Sequence, residues 1–190
     1  MPLFHSPITQ QFQHRLRALF PEAGLYYIQL ADQARVETCF QAYTRAFTTA
    51  NNIKQLGMIA LPDAGIVPYL TVRSNILING QHQSFSLLPE ALRKDSQFLD
   101  ADASALSASQ SLYVQLFRGL LAGRQFLLMR DFPQSMIPQE TRLFLDCAHE
   151  AVQSADARLI ILTTDAGLIA ANPETSWTTP PHLTRQDASA

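Results

Sequence analysis

The sequence predicts an α/β protein: a three-layer architecture on a mostly parallel sheet. Three observations predict it. First, Gln125-Phe126-Leu127-Leu128-Met129 and Arg158-Leu159-Ile160-Ile161-Leu162-Thr163 are short continuous apolar runs, and Gln139 to Ser154 between them has helical periodicity. Second, the same alternation occurs earlier: Leu25 to Leu30 is strand-like, Asp32 to about Ala50 is helical, and Gln55 to Leu61 is strand-like again. Strands apolar on both faces belong to parallel sheets covered by helices on both sides. Third, these runs end at carboxylates, Asp63, Asp131 and Asp165. Open α/β sheets bind ligands beyond the carboxyl ends of their strands, so these three are the candidate ligand-edge residues.

In chain order, Ser6-Pro7 starts a helix, with Ser as N-cap and Pro at the first helical position. Ile8, Phe12, Leu16, Leu19 and Phe20 form its apolar stripe, and His14, Arg15 and Arg17 lie off it. The stripe suits packing on the domain; a docking or membrane-surface helix is the other reading. Pro21 to Gly24 breaks the helix. After the aromatic strand, Asp32 caps the next helix, with Val36, Phe40, Tyr43 and Phe47 as its buried stripe, and Asn51-Asn52 stops it. Gln55 to Leu61 then ends at Pro62-Asp63-Ala64-Gly65. The second strand–helix–strand unit should cross over right-handedly.

The middle is less periodic. Ile76-Leu77-Ile78 and Ser84-Phe85-Ser86 flank Asn79-Gly80, which reads as a hairpin turn. Leu87 to Lys94 reads as a short helix, Gln97 to Asp100 as a short edge strand, and Ala101 to Ser109 as a loop. The helix beginning near Gln110 is apolar around much of its circumference and should be deeply buried. Leu128 and Ile161 should be buried in adjacent central strands. Leu168 to Ala171 reads as one more strand. The division is a domain over 1–171 and a Pro-, Ser- and Thr-rich tail over 172–190, expected to be poorly ordered. Within the tail, Trp177 is either a staple onto the domain or an anchor for a partner.

The chain has 190 residues with a net charge of −2, 47% apolar and 16% charged. That is a globular composition with no general electrostatic attraction to nucleic acid or anionic membrane. Basic residues do not interleave with aromatics, as a nucleic-acid surface would require. Cys39 and Cys147 fall in helices at no metal-ligand spacing and read as buried reduced thiols. No secretory pattern opens the sequence and no apolar run approaches the span of a bilayer, so a cytoplasmic protein is expected.

The chemical motifs are mostly missing. After Leu30 the sequence is Ala31-Asp32-Gln33-Ala34-Arg35-Val36-Glu37-Thr38, without glycine and without a P-loop Lys-Ser/Thr. Bulky side chains and Asp32 would oppose a phosphate there. Asp131 occupies the place of a Walker-B carboxylate, but without a P-loop it lacks its partner and reads as a strand-end Asp that caps a turn. No serine sits in a nucleophile elbow. The five histidines are scattered. Asp146, His149 and Glu150 share one side of a helix, with Asp146 and Glu150 four residues apart; this reads as a solvated face, with a two-carboxylate metal site as the alternative. No catalytic residue, cofactor or metal is expected.

The order of elements, with QFQHRLRALFPEAGLYYIQL (Gln11 to Leu30), KQLGMIALPD (Lys54 to Asp63) and Gly123 to Gly167 with its Ile137-Pro138 helix start, resembles the N-terminal domain of the bacterial cellulose biosynthesis protein BcsE. The resemblance covers most of residues 8–167. It implies a RecA-like, degenerate P-loop NTPase fold that lacks the P-loop. It further implies a non-catalytic scaffold or regulator of a cellulose synthesis and secretion system. The partners would be other cytoplasmic subunits at the inner-membrane face, a MinD-like ATPase among them, bound as a homo- or heterodimer through faces that related ATPases use in assembly. The Arg-x-Gly-Asp type motif with which that family binds cyclic di-GMP is absent, so direct binding of that nucleotide is not implied. Two other readings stay open: a cell-division inhibitor similar to SulA, which binds a filament subunit, and an enzyme with its site at the strand carboxyl ends.

Overall fold

Ser6 opens the chain's first helix, α1 (Pro7–Leu19), by accepting a hydrogen bond from the Thr9 amide at 3.2 Å. The computed structural model describes residues 6–61, 65–80 and 85–184. Strand β1 (Gly24–Gln29) follows, then α2 (Gln33–Thr49), capped by the Asp32 carboxylate on the Arg35 amide at 2.7 Å. Strand β2 (Leu56–Ile59) leads to three short helices, α3 (Val72–Leu77), α4 (Glu90–Lys94) and α5 (Ser96–Leu99). Helix α6 (Ala108–Leu121) begins with a reciprocal cap between Ser107 and Gln110. The rest is β3 (Phe126–Met129), α7 (Pro138–Ser154), β4 (Arg158–Thr163), α8 (Ala166–Ala171) and β5 (Ser176–Trp177).

The strands form one sheet in the order β2-β3-β4-β1-β5, and every pairing is parallel. Strand alternation divides the core in two. Tyr27, Leu127, Met129, Leu159 and Ile161 face the layer of α3, α5, α6 and α7. Tyr26, Ile28, Phe126, Leu128, Ile160 and Leu162 face α1 and α2 through Phe12, Leu16, Phe20, Val36, Phe40 and Phe47. This is the three-layer α/β architecture, with a mostly parallel sheet between helices. Leu128 and Ile161 are fully buried in adjacent strands, as their apolar runs require. Among the described residues no helix is long and apolar enough to cross a membrane.

Several local expectations are corrected. The segment read as a hairpin around Asn79-Gly80 is helical on its first side: Thr71 caps α3, and Asn79 ends it at φ +61°. The Gly80 amide closes onto the Leu77 carbonyl at 2.9 Å. Asn79-Gly80 is therefore a helix stop, not a hairpin turn. Residues 81–84 lie outside the described set. The expected edge strand at Gln97 to Asp100 is the helical turn α5, because Asp95 accepts from the Phe98 amide at 2.8 Å. Leu168 to Ala171, read as a strand, lies in α8, which Asp165 caps from Gly167 and Leu168. On α1, Ile8 points to solvent at 64% exposure, and Thr9 takes the inward place to donate to the Ala50 carbonyl at 2.9 Å.

The tail is also corrected over 172–184. Ser176 and Trp177 pair with β1, Tyr43 donates to the Pro181 carbonyl at 2.7 Å, and Leu183 is buried at 3% exposure. A Pro-rich composition argues against regular structure, but not against one apolar residue every few positions docking on a neighbouring layer. Residues 185–190 lie outside the described set. The unit β1–α2–β2 spans more than one step, since β4 and β3 separate β1 from β2.

Candidate functional site

Helix α2 leaves β1 over one face of the sheet and α8 leaves β4 over the other, and β1 and β4 are neighbours. The connections diverge there, which opens a crevice at the carboxyl ends. Residues 31–33, 130–137 and 163–167 border it.

Asp131 occupies the centre. Its Oδ1 accepts from the Thr163 hydroxyl at 2.8 Å and the Phe132 amide at 3.0 Å. Its Oδ2 accepts from the Thr164 hydroxyl at 2.7 Å, the Thr164 amide at 2.8 Å and the Gln33 side-chain amide at 3.0 Å. A carboxylate has about four lone-pair positions, and neutral donors already fill them. Thr163 is fully buried and also accepts from the Asp165 amide at 3.0 Å, so one hydroxyl links the two strand-end acids. Beside this network, Arg130 donates to Glu37 at 2.6 Å and stands 4.8 Å over the Phe40 ring, which ties the end of β3 to α2.

The first turn of α2 is where nucleotide-binding sheets of this type hold phosphate. Here the Asp32 carboxylate takes an amide of that turn. It supplies the negative charge a helix N-terminus favours, and it leaves an incoming phosphate opposed by a like charge.

Two clefts flank the network. One, of about 760 Å³, lies between α7 and α8 over β1 and is lined by Leu25, Tyr27, Leu145, Asp146, His149 and Leu168 among others. The other, of about 700 Å³, is bordered by Val36, Glu37, Leu61, Leu106, Ser111 and Pro133. Burial, with the nearby Asp146 charge, pushes the Tyr27 phenol up to about 12. Among the described residues no three His, Cys, Asp or Glu side chains gather as a metal site would need.

The structure thus brings together two of the three ligand-edge acids, Asp131 and Asp165, and makes structural use of both. Asp63 lies outside the described residues. Asp146 and His149 border the first cleft, while Glu150 is exposed on the same helix and does not line it. Trp177 is half-buried and staples the tail: its ring centroid is 5.3 Å from that of Phe20 and 5.7 Å from that of Tyr26. Gln33, Thr163, Thr164 and Tyr27 were not singled out from sequence. The Thr163-Thr164 pair beside Asp165 was the one available signal.

Solved structures with this fold include an ATP-binding subunit of an ABC transporter, at TM-score 0.57 and 12% identity, covering 79% of this chain and 72% of that one. They also include cbiO1 from Clostridium perfringens, part of the ABC transporter complex cbiONQ, at TM-score 0.58 and 14% identity over 76% and 68%. A putative ABC transporter ATP-binding protein from Pyrococcus furiosus matches at TM-score 0.56 and 10% identity over 75% and 78%. No protein-family model and no curated protein matches the sequence. The chain has the RecA-like three-layer fold of ABC-transporter ATPase subunits.

Proposed function

We propose that the protein is a non-catalytic scaffold or regulatory subunit, built on a nucleotide-binding fold and acting by protein–protein interaction. The observation that carries this reading is Asp131. In the position of a magnesium-holding carboxylate, it spends its lone pairs on Thr163, Thr164, Phe132 and Gln33. Asp32 stands where phosphate would sit, and no P-loop follows β1. A site filled by its own side chains keeps the shape of an ATPase without its chemistry.

The resemblance to the BcsE N-terminal domain supports a place in a bacterial cellulose synthesis and secretion system. There the chain would bind cytoplasmic subunits, a MinD-like ATPase among them, at the inner-membrane face. Two measurements test the proposal. Calorimetry with magnesium and ATP should show no sub-millimolar binding, and such binding overturns the non-catalytic reading. An affinity pull-down from the native host should recover cellulose-synthase subunits. Recovery of a division-filament subunit instead favours the SulA-like reading.

A further inference from the structure

Strand β2 is an edge of the sheet: among the described residues β3 lies on one side of it and no strand on the other. In a parallel pair, residues that bond to the neighbouring strand alternate with residues whose N–H and C=O point away from it. The Ile59 carbonyl accepts from the Arg130 amide at 3.0 Å, so Ile59 faces β3. Leu56, Met58 and Ala60 therefore turn their main-chain groups outward. Two of those groups are used within the fold. The Leu56 amide bonds to the Ile53 carbonyl, and the Ala60 amide donates to Gln115 Oε1 at 2.8 Å. Between them, the Leu56 C=O and the Met58 N–H and C=O have no partner among the described residues. Met58 is 47% exposed, and the strand carries neither a charge nor a proline to guard that edge.

A groove of about 470 Å³ runs along the edge, with Leu56, Gly57, Met58 and Ala60 in its lining. Its two walls differ. The Met58 side faces α2, where the Thr44 hydroxyl lies 3.9 Å from the Met58 sulfur and Phe40 also borders the groove. That wall is largely apolar. The Gly57 side faces α6, and there the Arg124 stem comes within 3.4 Å of where a Gly57 side chain would start. The Arg124 guanidinium donates to the Lys54 carbonyl and forms no ion pair among the described residues. Arg118 and Arg130 line the groove too, and no described Asp or Glu does. An added strand alternates its side chains between two such walls. The complement is a strand with carboxylates toward Arg124 and apolar side chains toward Met58 and Phe40.

We propose that the β2 edge docks an extended segment of a partner protein in which acidic and apolar residues alternate. The segment adds a strand beside β2 through the Leu56 and Met58 main chain, and its carboxylates meet Arg124. A second copy of this chain is a poorer occupant, because two such edges would meet with the same arginines on both sides. The inference rests on the scaffold reading and names the surface through which that scaffold takes a partner.

The probe is the peptide acetyl-Val-Glu-Val-Glu-Val-amide. Two controls accompany it: the same peptide with Lys for Glu, and the acidic peptide N-methylated at every backbone amide, which keeps the charge and removes the ladder. Calorimetry on the full chain should give the acidic peptide a Kd on the order of 100 μM, and each control should bind about tenfold weaker or worse. Arg124→Glu should weaken the acidic peptide by about tenfold and favour the Lys peptide. Hydrogen exchange should show the Met58 amide protected when the acidic peptide binds, while the Ala60 amide, held by Gln115, is protected throughout. No binding at millimolar peptide overturns the proposal. So does equal binding of the acidic and Lys peptides, or a Met58 amide that exchanges at the same rate with peptide bound. Self-association that protects Met58 without peptide gives the edge to a second copy and overturns it as well. The scaffold reading fails separately, on magnesium–ATP binding. If Arg124→Glu recovers the same cellulose-synthase subunits as the native chain, the scaffold stands and the β2 edge is overturned.

Discussion

Leu127 on β3 lays a methyl group where a side chain on Gly119 would have to stand. A Cβ built on Gly119 of α6 falls 2.5 Å from Leu127 Cδ2, and a Cβ on Gly57 of β2 meets the same methyl at 2.5 Å. Leu127 is fully buried, so the methyl has little room to retreat. Helix propensity alone favours Ala over Gly by about 1 kcal/mol. Overpacking costs about 1–3 kcal/mol and should win. Gly119→Ala is expected to lower the urea midpoint. In a Leu127→Ala background the same change should become neutral or stabilising, because the clash is gone.

Thr163 ties two strand-end acids together through one hydroxyl. Its hydroxyl donates to Asp131 and accepts from the Asp165 amide, inside a fully buried residue. Thr163→Val keeps the shape, leaves the Asp165 amide without its acceptor and takes one of five donors from Asp131, at a cost of about 1–3 kcal/mol. Asp131→Asn should cost a similar amount, because in either orientation the new NH₂ faces donors. Chemical denaturation measures both. An Asp131→Asn variant as stable as the native chain would show that the five-donor network does not form.

Alkaline pH should weaken the fold. Burial pushes Cys39 and Cys147 each up to about 11, with Glu150 adding to the effect at Cys147, and Tyr27 and Tyr113 to about 12. The folded state favours the neutral forms. Their contribution is fully present below the unfolded values, about pH 8.5 for Cys, and is lost as pH rises through the folded ones. Urea midpoints should fall progressively above about pH 9. A thiol reagent at about pH 8 should label the folded chain about 200-fold more slowly than the unfolded chain, since the thiolate fraction drops by that factor.

The tail can be read through a single fluorophore. Trp177 is the one tryptophan in the sequence, packed edge-on to Phe20. Its emission should shift red as the chain unfolds, together with the loss of helix. Trp177→Ala should destabilise by about 1–3 kcal/mol. A tail that unfolds at lower denaturant than the helices would show that it docks as a separate unit.

The sheet and its long helices were legible because their patterns are long: Phe126 to Met129, Arg158 to Thr163 and the stripe from Val36 to Phe47 each hold one period throughout. The middle was not. Helices of four to six residues, such as α3 and α5, are shorter than the window in which a period can be recognised. Their caps, Thr71 and Asp95, were the better signal. Asp131 was legible as a strand end. Its partners were not, because Gln33 lies 98 positions away and only the strand order brings it close. Tyr27 was legible as a strand residue, but whether its hydroxyl meets protein or open space depends on how α7 and α8 sit over it.

Strand β1 is made early, and both its neighbours are made late. Gly24 pairs with Arg158 and Ile28 with Trp177. During synthesis, Tyr26-Tyr27-Ile28 therefore emerges with no strand to pair with on either side. At ribosomal rates the wait for β4 is on the order of 10 s. Helices α1 and α2 arrive soon enough to shelter one face, through Phe20, Val36 and Phe40. The other face and both edges stay open until nearly the whole domain is out. A chaperone that holds this one hexapeptide strand would protect the nascent chain at its most aggregation-prone stage.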